Sequence, residues 1–355
     1  MRTAHASPPI PVRLPKRKRG RQSIAQQAKY DAQVDAFIQR LHEIDSTLDF
    51  KVGTRGWCYL AANESMVGKD EFDAMEKLLG DWRKSGQLPL KFCANDDKRA
   101  PENLEEIDRE DPGDYAEVYA RVAAKCWQHY LPFSFWDFQP VYIEQADEKT
   151  DLVSLFAKVC AEYHIPIWNA GGWSDINSRA DLMIRFQEHD EAGRRCVLLY
   201  CGDFDPAGLL ISETIRKNLK DLEATVGWCP DGLVIDHFGL NEDFIQKHRI
   251  PWIEGLKTGS GKYNLEDPRH PDHWKPYVQN YLKKYGARKV EANALVARHE
   301  AGRQLCREAI LKYIDPDGIR RYQERLREER QKVRAALPTA LETVLADMSE
   351  GDSND

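Results

Sequence analysis

A chain of 355 residues, 42% hydrophobic and 31% charged, has enough material for two globular domains with separate cores. Its formal net charge of −7 argues weakly against nucleic acid as a partner, and no apolar run approaches the roughly 20 residues a membrane span requires. Eight cysteines without a Cys-x-x-Cys pair make a poor disulfide framework and a poor zinc site; a reducing, cytoplasmic setting is expected. The N-terminus lacks an apolar h-region, so no signal peptide is expected.

Residues 1–22 carry seven Lys or Arg, no acid and four prolines, with Lys16, Arg17, Lys18 and Arg19 consecutive. Such a stretch is not expected to fold alone. It reads equally as a solubilising extension and as a set of DNA phosphate contacts that fade with salt. A helix is expected over 23–48, with Val34, Phe37, Ile38 and Leu41 on one stripe. Gly53-Thr54-Arg55-Gly56-Trp57-Cys58-Tyr59 opens a second helix, and a third covers 69–84, closed by Ser85-Gly86. Leu88 to Phe92 reads as a short strand before the polar run Asn95 to Arg99. Short helices followed by a strand suit a winged-helix DNA-binding unit over 23–135, although composition fits a non-binding helical domain too. A further amphipathic helix spans 114–130, and Pro132 and Pro140 bracket an aromatic linker that marks the domain boundary.

The second domain, 136–337, alternates strand and helix: strand 141–146, helix 151–163, strand 165–169, helix 175–188, a strand from Val197, helix 209–223 and strand 233–235. This alternation calls for an α/β fold, a mostly parallel sheet with helices on its faces. A long loop with Gly259 and Gly261 leads to Val290-Glu291-Ala292-Asn293-Ala294-Leu295, and a charged helix over 315–345 ends in a polar tail, so that 338–355 forms a terminal segment.

The most informative stretch is Val197 to Ile211. An apolar strand runs into Gly202-Asp203-Phe204-Asp205-Pro206-Ala207-Gly208. Residues two apart on a strand share a side, so Asp203 and Asp205 point together beyond the carboxyl end, where open α/β sheets bind ligands. Two adjacent carboxylates repel unless a cation lies between them, and hard oxygen donors in this number suit Mg2+. A capping aspartate in a plain strand-to-helix turn is the competing reading. Glu148, at the junction after the first strand of this domain, supplies a third carboxylate at the same edge. Glu144, inside that strand, is the rival acid and is expected to face solvent or a partner. Lys149 is a further candidate phosphate contact; Lys257 and Lys262 share that reading with ordinary loop lysines. Trp57 and Trp173 are candidates for base stacking but more often pack, and Glu291 more often anchors a strand end than approaches a metal. His270 and His273 form an isolated pair with little claim to zinc. No Gly-x-x-x-x-Gly-Lys-Ser/Thr loop is present, so no ATPase is read from the chain.

Taken together, Glu148-Lys149, Gly171-Gly172-Trp173-Ser174-Asp175 through Arg179, Gly202 to Gly208 and Glu291 to Leu295 resemble the Toprim domain. More narrowly, they resemble the version in the topoisomerase VI A subunit and the meiotic double-strand-break transesterase. Arg55-Gly56-Trp57-Cys58-Tyr59 is similar to that family's nucleophile motif, and Asp96 with Arg99 to a further pair of its winged-helix domain. The resemblance covers roughly residues 30–312 and, in size, is to the stand-alone mini-A proteins. It implies a winged-helix plus Toprim fold and a homodimer that breaks double-stranded DNA, with the tyrosine and the metal of each site coming from different subunits. Tyr59 would be the nucleophile aided by Arg55, and Glu148, Asp203 and Asp205 would hold Mg2+. It also implies a separate ATPase subunit for any strand passage. Gly56 and Cys58 depart from the residues usual in that motif. The related nuclease subunit of plasmid-defence condensin systems shares the domain plan but lacks the tyrosine. A metal-dependent nuclease using water, and a non-catalytic DNA-binding subunit, are therefore the alternatives.

Overall fold

The computed structural model describes residues 12–17, 20, 22–94, 105, 107–172, 175–257 and 262–351. Lys18, Arg19, Asp96, Arg99 and Trp173 lie outside the described residues. The chain is a mixed α/β protein built on a four-stranded parallel sheet, as the strand–helix alternation requires.

Helix α1 (Ile24–Asp45) starts at Ser23, whose hydroxyl accepts the Gln26 N–H while the Gln26 side chain accepts the Ser23 N–H. It buries the stripe of Val34, Phe37, Ile38 and Leu41. Helix α2 (Thr54–Asn63) begins at Gly53, which has no side chain to cap it. Asp151, from the other half of the chain, accepts the Gly53 N–H at 2.5 Å instead, and a Cβ at Gly56 would lie 2.5 Å from Asp151 Oδ2. The departure at Gly56 thus leaves room for the carboxylate that ties the two halves together. Helix α3 (Phe72–Ser85) ends at left-handed Gly86 (φ 78°). The strand expected over Leu88–Phe92 does not form. The Leu88 and Phe92 N–H groups are spent on the Trp82 and Pro89 carbonyls, and Pro89 has no N–H for a ladder. Phe92 instead stacks on Trp57 at 4.5 Å, which makes Trp57 a core residue. The stretch 12–17 is docked on this helical unit: Leu14 is buried, its N–H bonds to Met66 O at 3.0 Å, and Lys16 pairs with Glu71 at 2.6 Å. Helix α4 (Pro112–Ala123) buries none of its residues and is exposed from Pro112 to Val122.

The second half runs β1 (Val141–Asp147), α5 (Thr150–Glu162), β2 (Ile167–Asn169), α6 (Ile176–Glu191), β3 (Arg195–Cys201), α7 (Ile211–Lys220), α8 (Glu223–Val226) and β4 (Val234–His237). Then follow α9 (Glu242–Lys247), β5 (Ile253–Glu254), α10 (Pro276–Tyr285), β6 (Arg288–Lys289), α11 (His299–Leu311) and α12 (Pro316–Gly351). The sheet order is β2-β1-β3-β4, all parallel, so the chain leaves β1 in one direction and crosses back to β3 on its other side. That reversal is a topological switch point, and it opens a crevice beyond the carboxyl ends of β1 and β3. Register pairs Asp147 with Cys201 and with Asn169, so three strands end level at this edge. The core is continuous, with Leu152, Leu155 and Phe156 of α5 and Leu182, Met183 and Phe186 of α6 covering the sheet. Strands β5 and β6 pair antiparallel, and beyond them Phe204 and Val290 exchange both backbone hydrogen bonds, at 2.8 and 3.1 Å. This second ladder delivers residues 291–298 to the sheet edge, where they coil into a 3-10 helix against α2. No helix among the described residues is long and apolar enough to cross a membrane.

Candidate active site at the sheet switch point

Glu148 leaves β1 with its N–H on Cys201 O at 2.9 Å, and its Oε2 accepts the Asp203 N–H at 2.8 Å. Glu148, the first residue after β1, is therefore bonded to Asp203, the second after β3, across the crevice. Gly202 makes the contact possible, because a Cβ there would lie 2.9 Å from Glu148 Oε2 and 2.5 Å from the Tyr200 ring. Gly208 has a comparable role, since a Cβ would collide with the Asp203 carbonyl oxygen. Asp203 Oδ1 accepts the Ala292 N–H at 2.8 Å, leaving Oδ2 and Glu148 Oε1 as the outward oxygens. Lys149 Nζ bridges them, bonding to Glu148 Oε1 at 2.5 Å and to Asp203 Oδ2 at 3.2 Å. Burial pushes the Asp203 carboxyl up to about 6, with the Glu148 charge in the same direction and Lys149 opposing both.

The other acids have different places. Asp205 turns back on its own loop, where Oδ1 accepts the Gly208 N–H at 2.7 Å, the capping arrangement weighed against a metal role. Among the described residues no group of three or more His, Cys, Asp or Glu is arranged to hold a metal ion. Glu144 does not face solvent: it is fully buried, accepts a hydrogen bond from Tyr142 at 2.8 Å, and is clamped by Arg185 through Nε at 2.7 Å and NH2 at 2.9 Å. A buried carboxylate persists only with such partners, and the partner sits on the adjacent helix α6. Asp147 is also fully buried, bonded to the Gln145 side chain, and burial raises its carboxyl well above the ordinary range. His270 and His273 are engaged by their own loop, with Nδ1 atoms 3.0 Å from Asp272 N and Leu265 O. Lys262 lies over the Tyr263 ring, and both Lys257 and Lys262 are exposed.

Facing the acid pair is the helix carrying Arg55 and Tyr59. The two residues meet at Glu291. Tyr59 is buried and its hydroxyl donates to Glu291 Oε2, while Arg55 NH2 lies 3.9 Å from the same oxygen and Lys289 Nζ lies 3.4 Å from Oε1. Arg55 NH1 is held at 3.0 Å by Glu76. Burial, then the charge and hydrogen bond of Glu291, push the Tyr59 phenol far above its ordinary value. Burial would also raise Glu291, but the Tyr59 hydroxyl, Lys289 and Arg55 outweigh it and hold the carboxyl below the ordinary range. Since Ala292 bonds to Asp203, a path of two adjacent residues joins the tyrosine to the acid pair.

A cleft of about 1360 Å³ spreads from this point, walled by Arg55, Lys149, Asp203, Lys289 and Glu291 and continuing along β2 to Arg179 on α6. Tyr59 is not part of its wall; it lines a smaller cavity on the opposite side, with Lys69, Arg249 and Arg298. Sequence reasoning singles out neither Asp151 nor Lys289 nor these three cations, which carry no local signal. Glu291 reads in sequence as an anchor, and its bond to Tyr59 spans 232 positions. Comparison with protein-family models, curated proteins and solved structures found no match.

Proposed function

We propose that this chain is a Mg2+-dependent enzyme that cleaves double-stranded DNA by tyrosine transesterification, in the manner of the topoisomerase VI A subunit. The observation that carries the reading is the convergence of Glu148, Asp203, Glu291, Arg55 and Tyr59, from distant parts of the chain, on one sheet edge. In that reading the helical half acts as a winged-helix unit and the sheet as a Toprim domain. Where that family draws tyrosine and metal from different subunits, here one chain brings the tyrosine and the acids to the same sheet edge; a second copy serves the other strand, and strand passage requires a separate ATPase.

The donor set fits magnesium. Glu148 Oε1 and Asp203 Oδ2 are hard oxygens that already converge on one cation, the Lys149 ammonium, and magnesium takes one or two carboxylates while keeping its waters. When bound, the ion would stabilise charge on the phosphate and on the leaving oxygen. Asp205 serves the loop that aims Asp203. Lys149, released from the carboxylates, and Arg55 contact the phosphate as cations.

Tyr59 passes its proton to Glu291 Oε2 and its oxygen forms the new bond to phosphorus. The bond from phosphorus to the 3′ oxygen breaks, and that oxygen takes a proton from water. The products are a 5′-phosphotyrosyl DNA end and a free 3′-hydroxyl. Incubation with duplex DNA and Mg2+, followed by denaturing electrophoresis, tests the reading. Protein-linked DNA that disappears in Tyr59→Phe is expected. Cleavage that survives Tyr59→Phe and leaves no adduct refutes it.

That refuting result would establish the second reading, a hydrolytic nuclease in which the same acids activate water. The burial of Tyr59 away from the large cleft favours it. Duplex binding without scission under any divalent metal would establish the third, a DNA-binding subunit.

A further inference from the structure

The cavity of about 280 Å³ behind Tyr59 has an unusual charge makeup. It lies between α2, the turn after α9 and the 3-10 helix of residues 292–298. Three cations line it, Lys69, Arg249 and Arg298, and no acid does among the described residues. None of the three is ion-paired to a carboxylate among the described residues. Lys69 donates to Pro251 O at 3.2 Å, Arg298 bonds to backbone carbonyls, and exposed Arg249 is the left-handed residue (φ 50°) that ends α9. Lys69 Nζ lies over the Tyr59 ring, 5.6 Å from its centroid. Asn63, Val67, Ile250 and Pro251 share the remaining wall with Ala62, Ala294 and Ala297, whose small side chains help leave the space open. Burial pushes the Lys69 ammonium down to about 8, with Arg55 and Lys289 in the same direction and Glu291, across the phenol, opposing.

Cations gathered without a paired carboxylate cost free energy, which a bound anion recovers. Two guanidinium forks and one ammonium match a phosphate better than a carboxylate, because phosphate offers oxygens in more than one plane. The volume admits a phosphate with part of its sugar, not a base pair. We propose that this cavity is a phosphate-binding site, formed by Lys69, Arg249 and Arg298, that seats a backbone phosphate of the DNA strand engaged by Tyr59. The anion-binding part stands on the cavity alone; the DNA part rests on the function proposed above. The strand then reaches the tyrosine from the side opposite the acid cleft, and the phenol lies between a phosphate anchor and its proton acceptor.

The test is equilibrium binding with the full chain in EDTA, so that neither metal nor cleavage enters. A fluorescent duplex is titrated over a series of KCl concentrations with wild type, Arg249→Ala, Lys69→Met and Arg298→Ala, and inorganic phosphate is the competitor. Each substitution is expected to weaken duplex binding about tenfold. The slope of log affinity against log salt should fall by roughly one per lost phosphate contact, and phosphate should compete with wild type. Arg249→Ala removes an exposed side chain, so a folding defect cannot mimic the result, and Arg249→Lys should recover part of the slope. Unchanged affinity and slope in all three variants overturn the proposal. Saturable phosphate binding with an unchanged duplex slope overturns it too, by assigning the cavity to a free phosphate. Failure of the transesterase reading is distinguishable: wild type then binds duplex through these residues yet forms no protein–DNA adduct when Mg2+ is restored.

Discussion

Replacing Glu291 by Gln separates a proton acceptor from a mere anchor. The amide would keep a carbonyl oxygen for the Tyr59 hydroxyl and nearly the same volume, but would lose the basic site. At pH 7 a phenol with pKa near 10 is ionised to about one part in a thousand. Burial and the Glu291 charge push Tyr59 higher, so its unassisted ionised fraction is smaller than that. The substitution has two opposing effects: losing the negative neighbour brings the phenol back towards its ordinary value, while losing the base removes a factor of roughly 10²–10⁴. The second dominates at pH 7, and adduct formation is expected to slow by about 100-fold or more. The pH profile carries the sharper signature. Glu291, held below the ordinary carboxyl range, is ionised across neutrality, so the wild-type rate is level between about pH 6 and 9. The Glu291→Gln variant depends on free phenolate, and its rate climbs about tenfold per pH unit over the same span. Single-turnover adduct formation at saturating Mg2+, quenched in detergent and resolved on denaturing gels, measures both. A variant with the wild-type rate at pH 7, or with a flat profile, refutes the role given to Glu291.

Asp203→Asn should abolish scission under either nucleophile while leaving duplex binding in EDTA intact, which gel shift and cleavage assays read side by side. The folded-state carboxyl of Asp203 is raised to about 6, so the native state holds its proton more tightly than the unfolded chain, and this residue's contribution to stability declines as pH rises from about 4 to 6. Melting curves should therefore show Asp203→Asn gaining on wild type across that window and running parallel above it; a constant difference would contradict the assigned environment. In wild type, the Mg2+ concentration for half-maximal cleavage should rise as pH falls below about 6, because the metal must displace a proton. Arg185→Met strands the Glu144 carboxylate and should cost about 3–5 kcal/mol, nearer the lower figure because Arg185 is partly exposed. Adding Glu144→Leu should restore most of the loss, and cleavage by the refolded double variant would show that Glu144 is not a metal acid.

The sheet is legible in the sequence because strand–helix alternation and the apolar run into Gly202-Asp203 are local signals, and their ends fall within a few residues of the observed ones. The strand expected at Leu88–Phe92 fails for a local reason as well: its apolar residues suit a strand, but the backbone donors are spent on turns and Pro89 has none to give. Choosing between Glu144 and Glu148 needs a partner that alternation cannot reveal. Arg185 lies 41 positions beyond Glu144 and becomes its clamp only because α6 packs beside β1. The same limit hides the link between tyrosine and acids. Nothing near Glu291 in sequence announces Tyr59. Their contact exists because the Phe204–Val290 bridge fixes residues 291–298 against the sheet edge, while Asp151 draws the start of α2 onto the same edge. Two backbone anchors thus determine whether the phenol and its acceptor meet. Gly56→Ala, which places a methyl group against the Asp151 carboxylate, should loosen that junction without touching either reacting residue. If adduct formation falls in Gly56→Ala while duplex affinity in EDTA holds, the junction positions Tyr59. If both are unchanged, the carboxylate has moved aside at no cost and the junction does not matter to the chemistry.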